Sequence, residues 1–334
     1  MEDKDVQELL IQAQRKHFTY YNGYSFSYEN AASPDVDKSL TYGIFRRDIV
    51  VPSDLFIILA VYTCGMATSY SADAVLRLMR AENPEKYIPY NDSDGALYQR
   101  MTVLAKVGLL IKVKLVENEI KDGHTNARTI YAFTAPKSAV NIAYSYLEIP
   151  KDISANRIFI LNPRQQARWM AVSDFISVVF TSGCIKHFSR DYYFYIQKDG
   201  SRKRRMDNPF IWFSAEAQDQ KIEYLVYPVI LTPEPSMTNE KEDAINLNGV
   251  FLMFRNWIDY CSEKGKNGRI ILVVDHVNDL GNVAKLIRDK IEPEHYDKFA
   301  ITGAALLVTY RDKTPYFDCT GKRVRDTEIY PFIG

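Results

Sequence analysis

Asp94-Gly-Ala-Leu-Tyr-Gln-Arg-Met-Thr-Val-Leu-Ala-Lys-Val-Gly-Leu-Leu-Ile111 is the stretch whose reading decides the fold. Leu97, Met101, Leu104 and Gly108 fall at i, i+4, i+7 and i+11, which lays one apolar stripe along a helix. Gly108 stands where that helix should stop, and the following Leu-Leu-Ile-Lys-Val-Lys-Leu-Val reads as a strand.

Two further helices are expected upstream. Pro52-Ser53-Asp54 signals a start for one running to about Thr68, with Leu55, Ile58, Leu59 and Tyr62 facing inward. Ser71 is expected to cap the second, where Val75, Leu78 and Met79 share a face, and Asn83-Pro84 ends it. Asn91-Asp92-Ser93 is expected to cap the third. Downstream, strands at Leu110–Val116 and Thr129–Phe133 flank a polar tip holding the Asp122-Gly123 turn dipeptide. Three helices followed by a hairpin is the pattern of a winged helix-turn-helix.

In such a module the third helix enters the major groove and the hairpin tip touches the backbone. The side chains left off the buried stripe are Tyr98, Gln99, Arg100, Thr102, Val103 and Lys106. Gln99 and Arg100 are of the types that read base edges, and Lys121, His124 and Arg128 of the hairpin are candidates for phosphate contact. Asp92 and Asp94 would oppose phosphates unless turned into capping. A protein-interaction scaffold is the competing use of the same module.

Composition bounds the rest. With 334 residues and 46% hydrophobic content the chain can hold two ordinary domains. Lys+Arg and Asp+Glu both number 42, so bulk charge does not mark a nucleic-acid coat. Locally, residues 151–210 carry 11 Lys/Arg against 5 Asp/Glu, whereas 211–310 carry 10 against 15. Cys64, Cys184, Cys261 and Cys319 show no metal-ligand spacing and read as reduced, packed thiols. The acidic Met-Glu-Asp-Lys-Asp start lacks the apolar region of a signal peptide, and no run reaches the roughly 18 apolar residues of a membrane span. A cytoplasmic protein without membrane partners is expected.

The remaining elements set the expected domains. Residues 1–52 comprise a helix at 3–17 and an aromatic extended arm; 53–150 are the winged helix. Residues 151–334 open with a strand at Arg157–Leu161, then a helix from Asn162-Pro163 to Ser182-Gly183. Strands at Tyr192–Gln197, Phe210–Ala215 and Ile222–Leu231 follow. After them come a helix at Leu247–Glu263, a strand at Arg269–Asp275, a helix at Asp279–Ile291 and a strand at Ala304–Tyr310. The expected class is α+β: a winged helix-turn-helix, then a three-layer α/β domain. Lys198, Arg202, Lys203, Arg204 and Arg205 make a basic hairpin suited to phosphates or an acidic partner.

The order helix, three strands, helix, strand, helix, strand resembles the restriction-endonuclease-like core. With a winged helix in front, the layout is similar to replication-relaxation-type proteins of bacterial plasmids and integrative elements. The resemblance rests on element order and on the Leu97–Leu110 helix-to-strand signature, over most of residues 53–310. It implies an Asp near the second core strand and an acidic-x-Lys triplet on the third, holding a divalent metal. Asp207 matches the first. Glu223-Tyr224-Leu225 lacks the lysine, and Glu216-Ala217-Gln218 offers only a glutamine. Val274-Asp275-His276 ends an apolar strand without a glycine-rich loop beside it. The expectation is therefore a non-catalytic, sequence-specific binder of double-stranded DNA from a mobile genetic element, with no catalytic residues, metal or cofactor. It would act in replication, transfer or transcription control, and pairing as a homodimer would match a two-fold site. A metal-dependent nuclease using Asp207 and Glu216 is the alternative.

Overall fold

A helix that is apolar on every side must be wrapped by its neighbours, and two such helices organise the first half of the chain. In the computed structural model, α3 (Pro52–Cys64) buries every residue from Ser53 to Cys64. The second, α7 (Pro163–Val179), buries Gln166, Ala167, Trp169–Ile176 and Val179. The structure describes residues 4–16, 20–29, 50–82, 84–85, 95–117, 128–148, 163–190, 194, 197–198, 201–202, 211–217, 220–231, 240–328 and 330–333.

The chain is mixed α+β and divides into two units, Tyr20–Thr181 and Met1–Thr19 with Ser182–Gly334. The first is thus an insertion in the sequence of the second. The boundary expected near residue 150 moves to Thr181, and the reason is α7. It packs on α4 (Ser69–Glu82), on α2 (Tyr20–Gly23) and on α3. The Ser173 and Ser71 hydroxyls lie 2.6 Å apart, and Tyr20 donates its phenol proton to the buried Asp174 carboxylate at 2.7 Å. A buried carboxylate needs such a donor, since desolvation without one is costly. Nothing local to residues 163–179 announces these partners.

Within the inserted unit, α4 is capped by Thr68 rather than by Ser71. Thr68 Oγ1 accepts from the Ser71 amide at 3.3 Å, and Ser71 Oγ returns the bond to the Thr68 amide at 3.0 Å. This is a reciprocal capping box with serine in the usual Glu/Gln place. Gly65 ends α3 at φ +73°, and a Cβ there would lie 2.2 Å from the Trp169 ring. Glycine is needed twice at this position, for its left-handed backbone and for the approach of α7.

The third helix, α5 (Ala96–Lys106), buries Leu97, Met101, Leu104 and Ala105. Gly108 stops it at φ +79°, with the Leu109 amide bonded back to Leu104 O at 2.9 Å. The expected cap at Asn91-Asp92-Ser93, and Asp94, lie outside the described residues. The hairpin strands β2 (Ile111–Glu117) and β3 (Thr129–Thr134) pair antiparallel, and β1 (Tyr24–Glu29) joins the free side of β2. The expected arm therefore supplies a sheet strand. Ala67, between α3 and α4, exchanges two backbone bonds of 2.8 Å with Phe133 on the other side of the sheet. Helix α6 (Lys137–Tyr146) closes the unit against α3.

The other unit is built on a five-stranded sheet in the order β10-β9-β8-β7-β4. Here β4 is Ile185–Ser189, β7 Ile211–Ala217, β8 Gln220–Val229, β9 Asn267–Val274 and β10 Phe299–Gly303. The pairs β4–β7 and β7–β8 are antiparallel, whereas β8–β9 and β9–β10 are parallel. Two residues of β5 (Gln197–Lys198) and two of β6 (Ser201–Arg202) form a separate small ladder.

One face of the large sheet buries Leu225, Tyr227, Ile270 and Leu272 against Phe254 and Trp257 of α8 (Glu240–Glu263) and Ile287 of α9 (Asp279–Lys290). On the other face Phe213 and Tyr224 stack at 4.7 Å between ring centres, with Phe332 packed edge-on against both. A helical third layer was expected there; among the described residues an aromatic C-terminal segment takes its place. The strand expected at Ala304–Tyr310 is instead a helix, α10, following β10. Short apolar runs such as Ala304-Ala-Leu-Leu fit either state, and β10 one element earlier already fills the sheet position. The strand expected at Arg157–Leu161 lies outside the described residues. No described helix is long and apolar enough to cross a membrane.

Candidate nucleic-acid interface

Once Leu97, Met101 and Leu104 are turned inward, helical geometry dictates what α5 shows to solvent. Gln99, Val103 and Lys106 stand four and three residues apart, one stripe of the helix, and all three are exposed. Val103 keeps 38% of its surface. Among the described residues no hydrogen bond or ion pair engages the side chains of Gln99 or Lys106.

Arg100, the other candidate base reader, is committed elsewhere. Its Nε donates to Asp54 Oδ1 at 2.7 Å, and its Nη2 to Asp54 Oδ2. Asp54 is fully buried and also accepts from the Val51 amide at 2.8 Å. The bond to Asp54 raises the guanidinium pKa above its ordinary value, outweighing the opposing effect of burial. Arg100 thus fastens α5 to the first turn of α3 as a fork on a carboxylate. Sequence reasoning took Asp54 only as a helix-start signal and gave it no partner. An acidic residue at the third position of a helix, preceding a helix that carries Arg, was the available clue.

Tyr98 and Thr102 also serve the module rather than its surface. The Tyr98 ring lies 5.8 Å from Phe133 and 6.5 Å from Tyr131, packing α5 on the hairpin. Thr102 Oγ1 donates to Tyr98 O at 2.9 Å. Lys112, missed in the sequence, caps this packing: its Nζ sits 4.0 Å from the Tyr131 ring centre and 3.3 Å from a Glu29 carboxylate oxygen. Arg128 is exposed at the start of the returning strand, where its amide donates to Glu117 Oε2 at 3.0 Å. Lys121 and His124 lie outside the described residues.

The second basic candidate belongs to the sheet unit. Lys198 and Arg202 fall on β5 and β6, paired in register as Lys198 with Ser201 and Gln197 with Arg202. Two of the five cations thus lie on paired backbone; Lys203, Arg204, Arg205 and Asp207 lie outside the described residues.

The acidic candidates of the sheet are taken up by cations. Glu216 is exposed and pairs with Lys186 at 3.4 Å. Glu223 is buried, with Lys266 Nζ at 2.9 Å and Trp212 Nε1 donating at 3.3 Å. Lysine thus reaches this carboxylate from the residue that leads into the neighbouring strand β9, not from two residues along. Asp275 is buried at the end of β9, and His276 Nδ1 accepts from the Asn278 amide at 3.1 Å, closing a local turn. Among the described residues no three His, Cys, Asp or Glu side chains gather as metal ligands. No protein-family model, curated protein or solved structure matches this chain.

Proposed function

We propose that residues 20–181 are a winged helix-turn-helix that binds double-stranded DNA in a sequence-dependent way through α5. The observation that carries the reading is the exposed stripe Gln99–Val103–Lys106 on the third helix, directly followed by an antiparallel hairpin. The Ala67–Phe133 bridge supports it, because it ties the connection between the first two helices to β3, on the side of the hairpin away from β1. In the sheet unit, two antiparallel pairings followed by two parallel ones support a restriction-endonuclease-like core, in which β4, β7 and β8 form the meander. Of the acidic candidates, Glu216 is engaged by Lys186 and Glu223 by Lys266 and Trp212, and the reading gives the sheet unit a role in contact. A DNA-binding protein of the kind that serves mobile genetic elements is the function these features fit best. The basic run from Lys198 to Arg205 adds non-specific grip on phosphates.

Lys106, in the last turn of α5, is the phosphate contact of that helix. Each such contact contributes roughly 0.9 to the slope of log K against log salt. Replacing Lys106 by Ala should therefore weaken binding to all duplexes and reduce the slope by about one. Fluorescence anisotropy with a labelled random-sequence duplex, titrated at several salt concentrations, measures both. An absence of duplex binding at low salt would overturn the proposal.

A further inference from the structure

Because Asp54 holds Arg100, the exposed face of α5 presents no guanidinium to a base. That removes the commonest reader of guanine from the helix and leaves an amide and a branched hydrocarbon. Gln99 can place its amide bidentately on the N6 and N7 edge of adenine. Val103 can meet one apolar group in the major groove, the C5 methyl of thymine. Four residues of helix rise span about 6 Å, against roughly 3.4 Å per base step. The two side chains therefore address positions one to two steps apart. Lys106 lies beyond them in the last turn, where it reaches the backbone rather than a base.

We infer that the DNA read by α5 is an A·T element, in which Gln99 contacts an adenine edge and Val103 a thymine methyl one or two base pairs away. This rests on the proposed role of α5 and names the class of site it selects. It gives Val103 a reason to be exposed: a buried methyl-to-methyl contact in the groove recovers the apolar area that solvent now covers. It also departs from the sequence reading, in which Arg100 stood beside Gln99 as a reader of base edges.

The test is selection of duplexes from a random pool by the full chain, followed by replacement of single thymines of the selected site with uracil. That change removes one methyl group and nothing else. The expected site has an A·T core, and one uracil position should weaken binding about fourfold, the value of a lost methyl contact. Val103→Ala should lose that sensitivity to uracil. Gln99→Ala should lower preference for the paired adenine by roughly 5- to 150-fold. Both side chains are exposed, so neither variant threatens the fold. A G·C-rich consensus whose guanines depend on Arg100 would overturn the inference and leave DNA binding standing. So would an A·T site indifferent to uracil and to Val103→Ala. Failure to retain any duplex would instead overturn the function proposed for α5.

Discussion

Arg100 shows how one side chain changes meaning when its partner is known. As a sequence symbol it is a base reader on a recognition helix; in the fold it neutralises a buried carboxylate. Asp54 has no solvent exposure, whereas the Arg100 side chain keeps 30% of its own. Removing the guanidinium leaves a buried charge whose remaining donor is the Val51 amide. Breaking a fully buried pair costs about 3–5 kcal/mol, and partial hydration of the arginine brings the expected loss to about 2–3 kcal/mol. Arg100→Ala should therefore lower the denaturant midpoint clearly while leaving the base preference of the folded fraction as it was. Urea unfolding alongside binding to the selected duplex separates the two effects. A changed consensus with unchanged stability would return Arg100 to the role its residue type suggests. The neighbouring Lys112 carries the same lesson, since its contacts with Tyr131 and Glu29 cross two strands and no single stretch announces them.

At the scale of elements, the difference between α5 and α7 explains what could be read in advance. The burial of α5 repeats at helical spacing and its end is written as a glycine, so local sequence determines both. In contrast, α7 is buried around its whole circumference and carries no stripe to say which unit it serves. Its choice is made by Trp169, Ser173 and Asp174, whose partners lie about 100 to 154 residues away. Likewise α10 was taken for a strand because seven mostly apolar residues hold no period long enough to decide. The docking of α7 can be tested at Gly65. A side chain there must adopt a left-handed backbone, costing about 1–2 kcal/mol, and must intrude on the Trp169 ring, costing about 1–3 kcal/mol more. Gly65→Ala should thus destabilise the inserted unit by about 2–5 kcal/mol. In a Trp169→Ala background the same change should cost only the backbone part, a non-additivity visible in denaturant titrations. Strict additivity would mean that Trp169 does not sit on Gly65.

The whole molecule is organised by an insertion that composition does not reveal. Polar linkers mark where chain leaves a unit, but not which unit it next enters, so the first helix was grouped with the arm that follows it. In the structure α1 (Lys4–Lys16) belongs to the sheet unit, to which the chain returns at Ser182 after the whole of Tyr20–Thr181. Ala13 is wholly buried among the residues of that core, Leu10 packs against it, and Tyr310 donates its hydroxyl proton to Leu9 O at 3.0 Å. The sheet unit is therefore completed by a segment made before the inserted unit. During synthesis the inserted unit has all its residues once Thr181 is available, whereas α1 must wait for β9, β10 and α10. Its energetic ties then fall on one side of the insertion only. Ala13→Asp places a charge in an apolar site, a change that costs more than about 3 kcal/mol when no partner is present. Hydrogen exchange should record the loss selectively: amides of β9 and α10 should lose protection, whereas Ile57–Val61 of α3 should keep theirs. Equal loss in α3 would overturn the assignment of α1 to the sheet unit. Selective loss would establish that α5, the helix proposed to read DNA, is held by a unit whose stability is set independently of the strands around which the rest of the chain folds.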